Sequence, residues 1–168
     1  MIPTMRTTGS FLSYLGGKSL LANKIIPLMP AHTCYCEVFA GAAWLFFKKE
    51  PSRVEIINDI NSELVTLYRV VKLHLEEFIR YLKYILVARD EFERFKKEKP
   101  ETLTDIQRAV RFYYLLRVGF NSRVDEKPSF SISSQKCSPF NLLRILVCYE
   151  QNIWGAKKKN YRAFGDEL

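Results

Sequence analysis

A strand, a helix and a second strand can be read within 25 residues of this chain, and this pattern limits the possible folds more than any other feature. The run 35–39 is strand-like, and Gly41 ends it. Residues 42–49 have helical composition, and the run 53–59 is a second strand rich in Val and Ile. Such a β-α-β unit belongs to a parallel sheet that binds its ligand at the carboxyl ends of the strands. The pattern therefore predicts an α/β fold with a site near Gly41.

Helical patterns follow the second strand. Apolar residues recur at three- and four-residue steps from Asn61 to about Val87, which predicts one long amphipathic helix. A charged helical segment spans 90–99, and Thr104 with a Gln three residues later predicts a capping box for a third helix. Four large side chains of that helix are expected in the core by their spacing. They are Phe112, Tyr113, Tyr114 and Leu115. Residues 121–141 are expected to form a loop or hairpin.

Composition limits the class of protein. With 168 residues, 48% of them hydrophobic, the chain can build a core of ordinary domain size. A net charge of +8 favours a polyanionic partner such as nucleic acid or an anionic membrane surface. No apolar run suits a bilayer span or a signal peptide, so we expect no membrane association and a cytoplasmic protein. The four Cys and two His lack metal-ligand spacing, which predicts no metal site.

The stretch 14–19, YLGGKS, contains a Gly-Gly-Lys-Ser that invites comparison with a phosphate-binding P-loop. A P-loop needs a glycine five residues before Gly17, and Leu12 stands there. A dinucleotide fingerprint also fails, because Gly41 is the one glycine in the first β-α turn. What remains is a Gly-Gly turn that carries one lysine ahead of the β-α-β unit, and by itself it assigns no ligand.

Four segments in order carry a resemblance to a known family: YLGGK, EVFAGAAWLF, IINDINSELVTLYRVVK and RAVRFYYLLRVGFNSR. Together they resemble the Dam-like (D12 class) adenine-specific DNA methyltransferases over about residues 11–144. The resemblance implies S-adenosylmethionine as methyl donor. It also implies an α/β fold, with an incomplete Rossmann-like methyltransferase sheet and an inserted, mainly helical DNA-recognition domain. The expected division is 1–61 for the cofactor-binding part, 62–141 for recognition, and 142–168 for a divergent or truncated return to the methyltransferase domain.

The resemblance also implies a cofactor site. An aromatic and a lysine, here Tyr14 and Lys18, lie beside the donor's methionine portion in that family. The F-x-G-x-G turn matches at Phe39 and Gly41, whereas Ala43 stands where a second glycine is usual and is expected to narrow the turn. The expected cofactor-binding residues are Tyr14, Gly17, Lys18, Phe39, Ala40, Gly41, Asp59 and Ile60.

Asp59 follows Gly41 by 18 residues, near the spacing at which an acidic side chain accepts hydrogen bonds from a ribose. Simpler structural roles stay open for these residues. Gly41 could merely end a strand, and Asp59 or Ser62 could cap the next helix, the cap being the favoured role of Ser62.

The resemblance further implies that the helical segment after the second strand is the family's target-recognition domain, whose signature is an aromatic helix that runs into a loop. Double-stranded DNA is therefore the expected partner of the third helix and the loop after it. Arginine contacts phosphate or a guanine edge, and an aromatic or Asn side chain can fill the gap left by an extruded base. The expected DNA-binding residues are Arg117, Phe120, Asn121, Arg123 and Lys127.

The family's catalytic tetrapeptide, Asp-Pro-Pro-Tyr, has no counterpart here, because no Pro-Pro pair occurs in the sequence. No catalytic residue is therefore assigned, and the chain alone is expected to be inactive. We expect marginal stability, aggregation or pairing with a second chain that supplies a missing C-terminal half. A non-catalytic DNA-binding protein that retains the recognition helices is the alternative, and an RNA-binding helical module is a third possibility.

Overall fold

The computed structural model of the protein describes residues 10–12, 14, 18–119 and 129–130. Two single-turn 3-10 helices, Ile26–Leu28 and Pro100–Thr102, lie between its main elements. In chain order these main elements are α1 (Ser19–Ile25), β1 (Cys34–Glu37), α2 (Trp44–Lys48), β2 (Val54–Ile57), α3 (Ser62–Leu73), α4 (Leu75–Tyr84), α5 (Arg89–Lys97) and α6 (Asp105–Val118).

Strands β1 and β2 pair in parallel, in a register that sets Cys34 beside Val54 and Glu37 beside Ile57. Helix α2 connects them, which confirms the β-α-β unit expected from the sequence. Each strand has four residues, shorter than predicted. Backbone hydrogen bonds continue past the strands, from Asn58 to the Glu37 carbonyl at 2.9 Å, and then the chain bends at Gly41.

One face of this small sheet is covered and the other is open. On the covered face the buried Lys49 ammonium lies 2.8 Å from Glu55 and 4.4 Å from the centre of the Tyr35 ring. The opposite face is exposed and carries Cys34, Cys36, Val54 and Ile56. Parallel sheets usually have both faces covered, so the open face is unusual for this class of sheet.

The predicted long helix from Asn61 to about Val87 is two helices, and the prediction of one helix was wrong. His74 separates α3 from α4, with φ −135° and ψ 40°, outside the helical region. Its N–H still donates to the Val70 carbonyl and its own carbonyl accepts from Phe78, so little hydrogen bonding is lost. Both helices pack against α6.

The N-cap residue of α3 also differs from the prediction. Ser62 is the first helical residue, and Asn61 is the N-cap, whose side chain accepts a hydrogen bond from the Glu63 N–H at 3.0 Å. Asn61 has the extended backbone that an N-cap requires, whereas Ser62 already has helical geometry.

Helix α6 is the central helix, since nine of its 14 residues are buried. The capping box predicted at Thr104 is confirmed by reciprocal bonds with Gln107. The four large side chains expected in the core are all buried. The main core is continuous from Phe11, through the turn and α2, to α3, α4 and α6. It therefore crosses the expected domain boundary at residue 61.

Candidate functional site

The turn after β1 lies at the carboxyl end of the sheet and has two residues with left-handed backbone. Gly41 has φ +49° and Ala43 has φ +51°. The Ala40 N–H donates to the carbonyl of Asn58 at 3.0 Å, which ties this turn to the end of β2. A left-handed conformation suits glycine, so Gly41 is the residue that lets the chain bend here.

Asp59 joins the turns that follow the two strands. Its Oδ2 accepts a hydrogen bond from the Gly41 N–H at 2.8 Å, and its Oδ1 accepts from the Asn61 N–H at 3.0 Å. The Tyr68 hydroxyl donates to the Gly41 carbonyl at 2.5 Å and supports the same turn from α3. A carboxylate has about four acceptor positions, so both oxygens of Asp59 keep a position for a further donor.

Two residues from the N-terminal segment reach this turn. A Cβ on Gly41 would lie 3.7 Å from Cδ1 of Tyr14, and the Asn61 amide donates to the Tyr14 hydroxyl at 3.2 Å. The Lys18 ammonium donates to the carbonyl of Phe39 at 3.2 Å. Residues far apart in sequence thus meet at the end of the sheet where an α/β protein binds its ligand.

The other residues expected at the cofactor site have varied surroundings. Ala40 is buried, whereas the side chains of Phe39 and Ile60 are 75% and 94% exposed beside the turn. Gly17 lies outside the described residues. The structure therefore brings together Tyr14, Lys18, Gly41 and Asp59, and it leaves two large apolar side chains open to solvent next to them.

Sequence reasoning did not select Glu37, although it lies at the same end of β1. Its carboxylate is buried, with 4% exposure, and lies 3.3 Å from the Lys18 ammonium. Its second oxygen accepts from the Phe46 N–H at 3.1 Å and the Tyr35 hydroxyl at 3.4 Å. Burial and nearby negative charges, Glu37 first among them, raise the pKa of Tyr35 and keep its hydroxyl protonated as a donor. No pattern in the sequence marks Glu37, because its burial depends on which face of β1 the fold covers.

Of the five expected DNA-binding residues, Arg117 is the one that lies among the described residues. Arg117 lies in the last turn of α6 and is half-buried, and its Nε has no hydrogen-bond partner among the described residues. Phe120, Asn121, Arg123 and Lys127 lie outside the described residues, as does most of the expected loop 121–141.

A cleft of about 560 Å³ lies among α4, α5 and α6, and Tyr84, Phe95 and Val110 are part of its lining. None of the residues expected to bind the cofactor or DNA lines this cleft.

Within the described part of the chain, no helix is long and apolar enough to cross a membrane. In the same residues, no group of three His, Cys, Asp or Glu side chains is placed to hold a metal ion.

A parallel β-α-β unit with a glycine bend after one strand and a carboxylate after the next is typical of α/β proteins that bind nucleotide-like ligands. Residues 14–139 match the family model described as D12 class N6 adenine-specific DNA methyltransferase. The chain therefore belongs to this family, as the sequence resemblance predicted.

Individual relatives agree with the family. The chain is 33% identical over 166 residues to a DNA adenine methylase of Escherichia coli (strain K12), covering 95% of this chain and 57% of that one. It is 34% identical over 134 residues to the type II methyltransferase M1.LlaDCHI of Lactococcus lactis subsp. cremoris, covering 73% of this chain and 46% of the relative. The chain thus spans about half the length of the curated relatives that it matches.

Proposed function

We propose that this chain binds S-adenosylmethionine at the turn after β1, as part of a machinery that methylates adenine N6 in double-stranded DNA. The observation that carries the proposal is the meeting of Tyr14, Lys18 and Asp59 around the Gly41 bend. Family membership supports the same donor and the same base. We place this activity in the cytoplasm, in keeping with relatives that are DNA adenine methylases of bacteria.

The residues present fit this cofactor. The open acceptor positions of Asp59 suit the two ribose hydroxyls, and the Lys18 ammonium suits the carboxylate of the methionine portion. Gly41 permits the close backbone approach that a bound nucleoside needs. The exposed Phe39 and Ile60 offer apolar surface for an adenine ring. When bound, the cofactor supplies an electrophilic methyl group on a sulfonium.

We propose a Rossmann-like sheet for the methyltransferase part, with 62–141 as the inserted recognition domain and 142–168 as the return to the first domain. The parallel pairing of β1 and β2 supports the Rossmann-like sheet.

We assign the DNA contacts to Arg117, Phe120, Asn121, Arg123 and Lys127, in keeping with the net charge of +8. A second chain that covers the open face of the sheet is part of the proposal, and the exposure of Val54 and Ile56 supports it.

The chain alone is proposed to be inactive in methyl transfer. The adenine amino group is a weak nucleophile, because its lone pair is delocalised into the ring, and it needs fixed acceptors for both protons and an aromatic face for the flipped base. The family's Asp-Pro-Pro-Tyr provides these groups, and this sequence contains no such tetrapeptide. Donor binding and DNA binding are therefore expected without transfer.

The test is a methyl-transfer assay with the full 168-residue chain, radiolabelled S-adenosylmethionine and duplex DNA of mixed sequence. The expected result is DNA binding that weakens steeply with salt, donor retention, and no label in the DNA. Label in the DNA would contradict the proposed inactivity. DNA binding without donor retention would contradict the cofactor site and favour the alternative, a non-catalytic DNA-binding protein.

A further inference from the structure

We propose that Glu37 is a positioning residue that orients Lys18 toward the amino-acid portion of the methyl donor. This inference rests on the proposed function. Glu37 ends β1, and its side chain is 4% exposed, so its charge is almost fully removed from water. A buried carboxylate is costly unless its oxygens are paired and hydrogen-bonded. The partners of Glu37 therefore indicate what it is there to hold.

Both oxygens of Glu37 act as acceptors. Oε1 accepts from the Lys18 ammonium at 3.3 Å. Oε2 accepts from the Phe46 N–H in the first turn of α2 at 3.1 Å and from the Tyr35 hydroxyl at 3.4 Å. One oxygen thus anchors the carboxylate to the scaffold, and the other faces the lysine at the candidate site. This division suits a group that fixes the position of another side chain.

The Lys18 ammonium is held by two acceptors on one side. It donates to Glu37 Oε1 and to the Phe39 carbonyl at 3.2 Å, and both belong to the end of β1 and its turn. An ammonium has three N–H donors, so one remains for a ligand. The Lys18 side chain is 37% exposed, which keeps that donor accessible. Two fixed acceptors restrict a flexible side chain and preorganise it for a carboxylate.

Glu37→Gln is the sharp variant because it preserves size and removes one acceptor. A glutamine amide has one acceptor oxygen and one donor NH₂ group. It must therefore turn the NH₂ either toward the Lys18 ammonium or toward the Phe46 N–H, and each choice sets donor against donor. Glu55→Gln is the matched control. Glu55 lies on the same face of the sheet and also pairs with a lysine, Lys49 at 2.8 Å, away from the turn.

The experiment is calorimetric titration of the full chain with two ligands. S-adenosylmethionine carries the amino-acid portion, and 5′-methylthioadenosine lacks it. Glu37→Gln is expected to weaken binding of S-adenosylmethionine by about tenfold or more, because a charge-assisted contact is lost. It is expected to weaken binding of 5′-methylthioadenosine by less than about threefold. Glu55→Gln is expected to leave the ratio of the two affinities unchanged. Equal losses of affinity for the two ligands in Glu37→Gln would mean that Glu37 has a purely structural role, and this result would overturn the inference.

A double-mutant cycle with Lys18→Met tests whether Glu37 acts through the lysine. In the Lys18→Met background, Glu37→Gln should cost little further affinity for S-adenosylmethionine, and fully additive losses would overturn the inference. Should Glu37→Gln lower the melting temperature too far for titration, Glu37→Asp serves instead. It keeps two acceptors and shortens their reach, so a selective loss for S-adenosylmethionine is again expected. A parent chain that binds neither ligand would contradict the proposed function itself, and the Glu37 inference with it.

Discussion

Ala43 is fully buried and has φ +51°, a conformation that costs a residue with a Cβ about 1–2 kcal/mol relative to the right-handed helix. The sequence resemblance marked this position as one where a second glycine is usual and predicted a narrower cofactor turn. The left-handed backbone gives a different physical reason for glycine at this position. The turn tolerates alanine here because the methyl group packs into the core.

Ala43→Gly should therefore change the free energy of unfolding by less than about 1 kcal/mol, since relief of backbone strain offsets the lost methyl burial. Ala109, also fully buried but inside α6, provides the control. Ala109→Gly should cost about 2 kcal/mol, from helix propensity and lost burial together. Urea denaturation of both variants measures the difference. Equal losses of unfolding free energy in Ala43→Gly and Ala109→Gly would contradict backbone strain at Ala43.

Tyr113 and Tyr114 are adjacent and buried, yet their hydroxyls differ. The Tyr114 hydroxyl bonds the Ala88 N–H at 3.3 Å and the Leu86 carbonyl at 3.2 Å, whereas that of Tyr113 has no hydrogen-bond partner among the described residues. Tyr113→Phe should raise the free energy of unfolding by about 1–3 kcal/mol, and Tyr114→Phe should lower it by a similar amount. Chemical denaturation at neutral pH checks both signs. Destabilisation by Tyr113→Phe would point to a partner for its hydroxyl.

The buried Tyr113 also makes the stability of the fold depend on pH. Burial raises the pKa of Tyr113 from 10.0 to about 12. Above pH 10 the unfolded chain loses this proton while the folded chain keeps it, so stability falls as pH rises from 10 to 12, by about 1.4 kcal/mol per pH unit. The advantage of Tyr113→Phe over the parent should therefore widen across this interval. An advantage that stays constant with pH would contradict the raised pKa.

At the scale of elements, residue types predicted which segments are helices and strands better than where they end. The β-α-β unit and the capping box at Thr104 follow from patterns of neighbouring residues, and both are present. The break at His74 does not follow from such a pattern. The apolar spacing of α3 and α4 is continuous through it, so the periodicity that predicted one helix carries no mark of the break.

Asn61→Ala should lower the free energy of unfolding by about 1 kcal/mol, because it removes the N-cap of α3. Ser62→Ala is the control, and its effect should stay within about 0.5 kcal/mol for an exposed position in the first turn. Thermal denaturation by circular dichroism compares them. The reverse order of effects would restore Ser62 as the cap.

At the scale of the whole molecule, the larger of two core clusters in the described residues joins the turn after β1 and α2 to α3, α4 and α6. Composition could predict the existence of a core but not that Phe11, in the N-terminal segment, packs against Phe47 and Tyr113. The candidate site was predictable where a motif marked it, at Gly41 and Asp59. Glu37 was not, because its role depends on which face of β1 the fold buries.

The proposed function requires that a sulfonium nucleoside binds over the Gly41 bend with its ribose on Asp59. The most direct test is calorimetric titration of the 168-residue chain with S-adenosylmethionine, compared with Asp59→Ala and with Tyr68→Phe, which removes a different hydrogen bond to the same turn. We predict binding by the parent, a loss of affinity of about tenfold or more in Asp59→Ala, and a smaller loss in Tyr68→Phe. Binding that is unchanged in Asp59→Ala, or absent from the parent, would contradict it.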